Sequence, residues 1–146
     1  MLFRSSPDKT VTRAEAVTFL WRAAGEPEPT TTENPFTDVA ESDFFYKAVL
    51  WAVEEGITNG MTETTFGPYL TANRAQIVTF LWRAEGQPEV TGTNNFTDVE
   101  AGAWYEAPIN WAVANGITNG LSATEFGINA ECNRAQMVTF LYRAYK

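Results

Sequence analysis

Thr12-Arg13-Ala14-Glu15-Ala16-Val17-Thr18-Phe19-Leu20-Trp21-Arg22 is a sentence this chain writes three times. It returns as Asn73-Arg74-Ala75-Gln76-Ile77-Val78-Thr79-Phe80-Leu81-Trp82-Arg83 and as Asn133-Arg134-Ala135-Gln136-Met137-Val138-Thr139-Phe140-Leu141-Tyr142-Arg143. Arg13, Arg74 and Arg134 stand 61 and 60 residues apart. A period of that length marks one supersecondary unit made several times, whose copies stack to bury a common core. Each copy opens on a capping box. Thr12, Asn73 or Asn133 offers a side-chain oxygen to the amide three residues on, and Glu15, Gln76 or Gln136 reaches back. Such a cap contributes about 1 kcal/mol. Apolar residues then follow at helical steps, so each copy predicts a helix.

Outward from these copies a longer repeat appears, 36–86 and again 96–146, with about half of the aligned positions identical. Each begins Phe-Thr-Asp-Val, at 36–39 and 96–99. A first helix is predicted near Asp43–Glu55 and near Trp104–Asn115, because Phe44, Ala48, Trp51, Ala52 and Trp104, Ile109, Trp111, Ala112 trace one apolar face. Pro108 is tolerated in a first turn and predicts a later start for the second of these helices. Both end at a glycine, Gly56 and Gly116. Ile-Thr-Asn-Gly follows at 57–60 and 117–120, then Phe66-Gly67 and Phe126-Gly127. Gly60 and Gly120 read as tight-turn residues that also let a ligand approach the backbone. The linkers 26–35 and 87–95 separate the units. The whole, 1–146, reads as one composite all-α domain. It contains the second half of a first repeat (1–25), a second repeat (36–86) and a third (96–146). Three second helices stand beside only two first helices.

Composition narrows the function. The 146 residues are 45% apolar and 14% aromatic, enough for a packed core. The net charge of −8 lacks the basic footprint of a nucleic-acid binder. No apolar run has the length of a membrane span, and no export signal is read within the chain. Histidine is absent and Cys132 is the one cysteine, which removes the usual zinc ligands and any internal disulfide. Cys132 aligns with Ala72 and Val11 and reads as a small core residue. No metal, cofactor or catalytic residue is predicted. Asp38 and Asp98 recur near a helix start, where a cap or turn role outweighs a pair of hydrolytic carboxylates.

The arginine inside the repeated tetrapeptide is what the cap leaves unexplained. Arg13, Arg74 and Arg134 occupy the first helical position, against the positive end of the dipole, which costs about 0.3–1 kcal/mol when exposed. Two readings stand. An arginine beside open helix amides is an anion site. Alternatively it forms an internal ion pair with a repeated acid such as Asp38 or Asp98. Trp21, Trp82, Tyr142, Trp51 and Trp111 read as core or interface residues, and Arg22, Arg83 and Arg143 as a solvated or ion-paired face.

Taken together, Phe-Thr-Asp-Val, Trp104-Tyr105, Trp-Ala-Val (51–53, 111–113), Gly-Ile-Thr-Asn-Gly (56–60, 116–120), Phe66-Gly67-Pro68 and Thr12-Arg13-Ala14-Glu15 resemble S-layer homology repeats. The resemblance covers nearly the whole chain. It implies a pseudo-threefold, three-pronged helical domain whose second helices form the centre and whose first helices form the prongs. Here one prong would be incomplete. It also implies a non-catalytic, extracellular module that holds a bacterial surface protein to secondary cell-wall polysaccharide, often pyruvylated and hence carboxylated. The residues it points to are Arg13, Arg74 and Arg134, with the caps Thr12, Glu15, Asn73, Gln76, Asn133 and Gln136 and the glycines Gly60 and Gly120. Gln76 and Gln136 depart from the family's glutamate, and Ile128 from its proline. A competing expectation is a protein–protein module, because an incomplete bundle exposes apolar surface that a second chain could cover.

Overall fold

The structure, a computed structural model, describes residues 9–90 and 92–145. Five helices account for its regular structure: α1 (Arg13–Ala23), α2 (Tyr46–Glu54), α3 (Arg74–Ala84), α4 (Glu106–Ala114) and α5 (Arg134–Ala144). The three copies of the opening sentence are α1, α3 and α5. Each carries both halves of its predicted capping box, Thr12 with Glu15, Asn73 with Gln76 and Asn133 with Gln136. All-α is therefore the architecture, with no strand longer than an isolated bridge among the described residues.

The helices α1, α3 and α5 pack against one another, α2 packs on α1, and α4 packs on α3. Three antiparallel bridges, Thr10 to Asn133, Thr12 to Thr71 and Asn73 to Glu131, tie together the segments that lead into the central helices. Each segment meets the other two, so a pseudo-threefold ring closes around the central bundle. The core is filled by Val17 and Leu20 of α1, Ile77, Val78 and Leu81 of α3, Met137 and Phe140 of α5, and Trp51 and Trp111 from α2 and α4. Cys132 is fully buried within it. A prong helix thus packs on the central helix that precedes it in the chain, so the packing pairs straddle the sequence repeats.

The first helices are shorter than their apolar pattern predicts, and they start at equivalent positions. Pro108 occupies the third residue of α4, where no intrahelical N–H is required, so it does not delay the helix. Phe44 and Trp104 precede the helices and are exposed, while the next residues, Phe45 and Tyr105, turn into the core. Gly56 sits at φ 75° and Gly116 at φ 69°. The amides of Gly56 and Ile57 bond back to the carbonyls of Val53 and Ala52, which seals the end of α2 in a Schellman turn.

Each central helix lacks amide partners in its first turn, and the neighbouring unit supplies them. The N–H of Arg13 donates to the Leu70 carbonyl at 2.8 Å and that of Ala14 to Pro68 at 2.9 Å. The N–H of Arg74 donates to Ala130 at 2.9 Å and that of Arg134 to Lys9 at 3.0 Å. These long-range bonds run around the ring in one sense. They also overturn the expectation of open helix amides awaiting an anion: the backbone donors are already taken.

Candidate functional site

The three arginines at the helix starts are buried, Arg13 at 4%, Arg74 at 3% and Arg134 at 8% exposure. Two of the heads reach into the next unit's loop. Arg13 donates from Nε to the Phe66 carbonyl (3.1 Å) and from Nη2 to Asn59 (2.7 Å), with its guanidinium 4.6 Å from the Phe66 ring centre. Arg74 repeats this with Phe126 (3.1 Å) and, through Nη2, the Thr118 hydroxyl (3.3 Å), 4.7 Å from the Phe126 ring. A partly desolvated cation–π contact contributes about 1–2 kcal/mol. Burial lowers both arginine pKa values, opposed at Arg13 by Asp38 and at Arg74 by Cys132 and Asp98. Both heads keep their charge, since an arginine starts far above neutral pH.

The predicted pairing with Asp38 or Asp98 is not how those acids are used. Asp38 accepts from the amides of Phe66 (2.8 Å) and Gly67 (2.9 Å). Asp98 accepts from Phe126 (2.9 Å), Gly127 (2.8 Å) and Ile128 (3.2 Å). Burial would raise both carboxyl pKa values, but the amide donors outweigh it and hold both below the ordinary aspartate range. These aspartates are loop clamps. Among the described residues the ion-pair reading holds for the third arginine alone, and with a different acid: Arg134 Nη2 meets Glu15 Oε2 in a buried salt bridge. Glu15 divides its carboxylate, one oxygen accepting from the Thr12 amide at 3.0 Å and the other from Arg134.

The Ile-Thr-Asn-Gly loops are gripped from two sides. Arg83 Nη1 donates to the Ile57 carbonyl at 3.1 Å, and Arg143 Nη1 to Ile117 at 3.1 Å. These two arginines were expected on a solvated or ion-paired face; Arg143 is exposed and Arg83 half-exposed, and each bonds a loop carbonyl rather than an acid. Their signal was the recurrence of an arginine nine residues after each cap arginine. Thr58 and Thr118, inside the loops, are buried as well. Gly60 and Gly120 are required by crowding. A Cβ on Gly60 would stand 2.5 Å from the Phe36 ring, and one on Gly120 2.5 Å from the Phe96 ring and 2.6 Å from the Glu125 carbonyl.

Around Arg74 these parts enclose a groove of about 410 Å³, lined by Arg74, Thr118, Gly120, Asn133, Gln136 and Arg143, among others. That is room for a monosaccharide-sized group. The groove brings two predicted cap residues, a predicted glycine and a predicted arginine to one place, and adds a second cation from α5. The corresponding stretch of α3, facing Arg13, is closed more tightly: Ala75 and Thr79 are buried where Ala135 and Thr139 are exposed. Thr12 caps α1, and Glu15 meets Arg134 and neutralises its charge. A larger cavity of about 610 Å³ lies beside α2, walled by Phe36, Leu50 and Val53 with Glu33 and Glu54. It has no cation in its lining.

The model of the S-layer homology domain matches residues 35–78 and 95–138. The chain belongs to the S-layer homology family. Its S-layer homology units align with long surface proteins. One is a cell surface protein of Thermoanaerobacter kivui, 32% identical over 76% of the chain and 15% of that protein. Another is a surface-layer 125 kDa protein of Lysinibacillus sphaericus, 31% identical over 94% of the chain and 12% of the protein. A third is a cellulosome-anchoring protein of Acetivibrio thermocellus, 28% identical over 94% and 32%. This S-layer homology chain therefore spans about a third or less of the length of these relatives.

Proposed function

We propose that this chain is a non-catalytic anchoring module that works outside a bacterial cell, holding a surface protein to secondary cell-wall polysaccharide. The bound group is a carboxylate on the polymer, as in a pyruvate ketal, and it enters the Arg74 groove. The observation that carries this reading is the convergence of Arg74 and Arg143, from two different helices, on one sugar-sized groove with Thr118, Asn133 and Gln136. The chain's charge of −8 opposes an anionic polymer at long range, so attraction is confined to such local contacts. Family membership supports anchoring, and the relatives named for surface layers and anchoring support the location. The test is co-sedimentation with purified sacculi before and after acid extraction of the secondary polymer. The chain pellets with the intact sacculi and stays in solution with the extracted ones; equal pelleting with both refutes the reading.

A second reading has its own observation. The face of α5 that corresponds to the covered faces of α1 and α3 has no prong helix packed on it among the described residues. Val138 is 51% exposed where its equivalents Val17 and Val78 are at 0%, and Tyr142 is 68% exposed where Trp21 and Trp82 are half-buried. Such a face suits self-association. Light scattering across a dilution series reads it: a mass that falls with dilution supports it, and a monomer at every concentration rejects it.

A further inference from the structure

The Ile-Thr-Asn-Gly stretch occurs twice with the same four residues, at 57–60 and 117–120. The fold demands its glycine, because a Cβ on Gly60 or Gly120 would stand 2.5 Å from a phenylalanine ring. Each of these required glycines follows an exposed asparagine, Asn59 or Asn119. Asparagine is a thermolabile residue, most of all before glycine, where no side chain hinders the next backbone nitrogen from reaching the asparagine Cγ. Among the described residues the amides of Gly60 and Gly120 donate to no acceptor, so neither nitrogen is tied down. Attack also requires the peptide plane between asparagine and glycine to turn, since its carbonyl and its nitrogen move as one rigid unit. Here the two copies part. The Asn59 carbonyl accepts from Arg13 Nη2 at 2.7 Å and from Thr58 Oγ1 at 3.2 Å. In the other loop Arg74 Nη2 goes to the Thr118 hydroxyl at 3.3 Å, and the Asn119 carbonyl has no donor among the described residues.

We infer that Asn119 is a self-modification site, and that Arg13 protects its twin, Asn59. The Gly120 nitrogen bonds to Asn119 Cγ and closes a succinimide ring, while its proton leaves with the side-chain nitrogen as ammonia. Water then opens the ring at either carbonyl. The product is aspartate, or isoaspartate in which the main chain runs through Cγ. Either way a neutral amide becomes a carboxylate, and no oxidant or reductant takes part. The place of the change gives it a consequence. Thr118 and Gly120, the residues on either side, line the Arg74 groove. A carboxylate between them opposes an anionic ligand at close range. Isoaspartate also adds a backbone atom to the loop that Arg74 and Arg143 hold. The chain's grip on an anionic polymer therefore fades with age. That consequence rests on the anchoring reading; the modification does not.

The test incubates the whole folded chain in mildly alkaline buffer and follows both asparagines in the same molecules by peptide mass mapping. Labelling with an isoaspartate methyltransferase marks the rearranged product. Two bonds hold the Asn59 peptide, so Asn119 converts roughly tenfold faster or more. In urea the two stretches, identical in sequence, convert at matching rates. Equal rates in the folded chain, faster conversion at Asn59, or a gap that persists in urea overturns the inference. The consequence is read with purified sacculi. Fresh chain pellets with them, and chain aged until Asn119 is converted does not. Asn119→Gln, whose longer side chain does not close the same ring, still pellets after the same ageing. Chain that is converted at Asn119 yet pellets as before overturns the link to the groove. Fresh chain that never pellets overturns the anchoring reading and leaves the modification standing.

Discussion

Replacing Asp98 by asparagine isolates the device that holds the groove's floor. Asp98 accepts from the amides of Phe126, Gly127 and Ile128, and the Phe126 carbonyl in turn accepts from Arg74 Nε. Asparagine keeps one acceptor oxygen and turns an NH2 toward the remaining amides, so one or two of the three bonds are lost and the survivors lose their charge. Bonds to a charged group contribute about 1.5–3 kcal/mol each when shielded. Asp98 is half-buried, and solvent competition reduces this to about 1 kcal/mol apiece. The expected destabilisation at pH 7 is therefore about 2 kcal/mol, a shift of roughly 4–8 °C in Tm for a chain of this size. Urea denaturation of both proteins from pH 7 to pH 2.5 measures it. The amide donors, overcoming burial, depress the folded pKa of Asp98. Its contribution is then fully present above the unfolded value near ~4 and is lost as pH falls through the lower folded value. The two stability curves run parallel above about pH 5 and converge in acid. Equal stability at pH 7, or a gap that stays constant down to pH 2.5, refutes the clamp.

Three further expectations follow from the same contacts. Gly120→Ala places a methyl group against the Phe96 ring and the Glu125 carbonyl, and should cost about 1–3 kcal/mol in a thermal or urea melt. Asn133→Ala removes the acceptor for the Gln136 amide and should cost about 1 kcal/mol, read by the same melts. Cys132, whose thiol is pushed up to about 11 by burial against the opposing pull of Arg74, should resist a disulfide reagent at pH 8 in the native chain and react once urea unfolds it.

What the sequence made legible was local. The capping boxes at Thr12, Asn73 and Asn133, the glycine stops at Gly56 and Gly116 and the burial of Trp51 and Trp111 are carried by residues a few positions apart, and all of them stand in the structure. What was not legible lies in contacts between elements distant in the sequence. Pro68 and Leu70 occupy the amides at the start of α1, which no local pattern announces. Arg83 and Arg143 read as surface residues on a helix wheel and do keep solvent contact, but their bonds to the Ile57 and Ile117 carbonyls of another element, 26 residues away, carry no local signal. The alternatives for the three arginines could not be separated by spacing because the copies resolve differently. Glu15 pairs with Arg134, whereas Gln136 stands beside Arg74. Phe44 and Phe45 were likewise indistinguishable by period, since the helix begins only at Tyr46 and the turn before it sets which ring enters the core.

The proposed ligand of the Arg74 groove is a carboxylate on the wall polymer. Mild acid removes pyruvate ketals and leaves the sugar chain, so the same purified polymer can be titrated into this protein before and after that treatment. Saturable binding to the ketal-bearing polymer is expected, weakened tenfold or more once the ketals are gone. Unchanged affinity for the ketal-free polymer would contradict it.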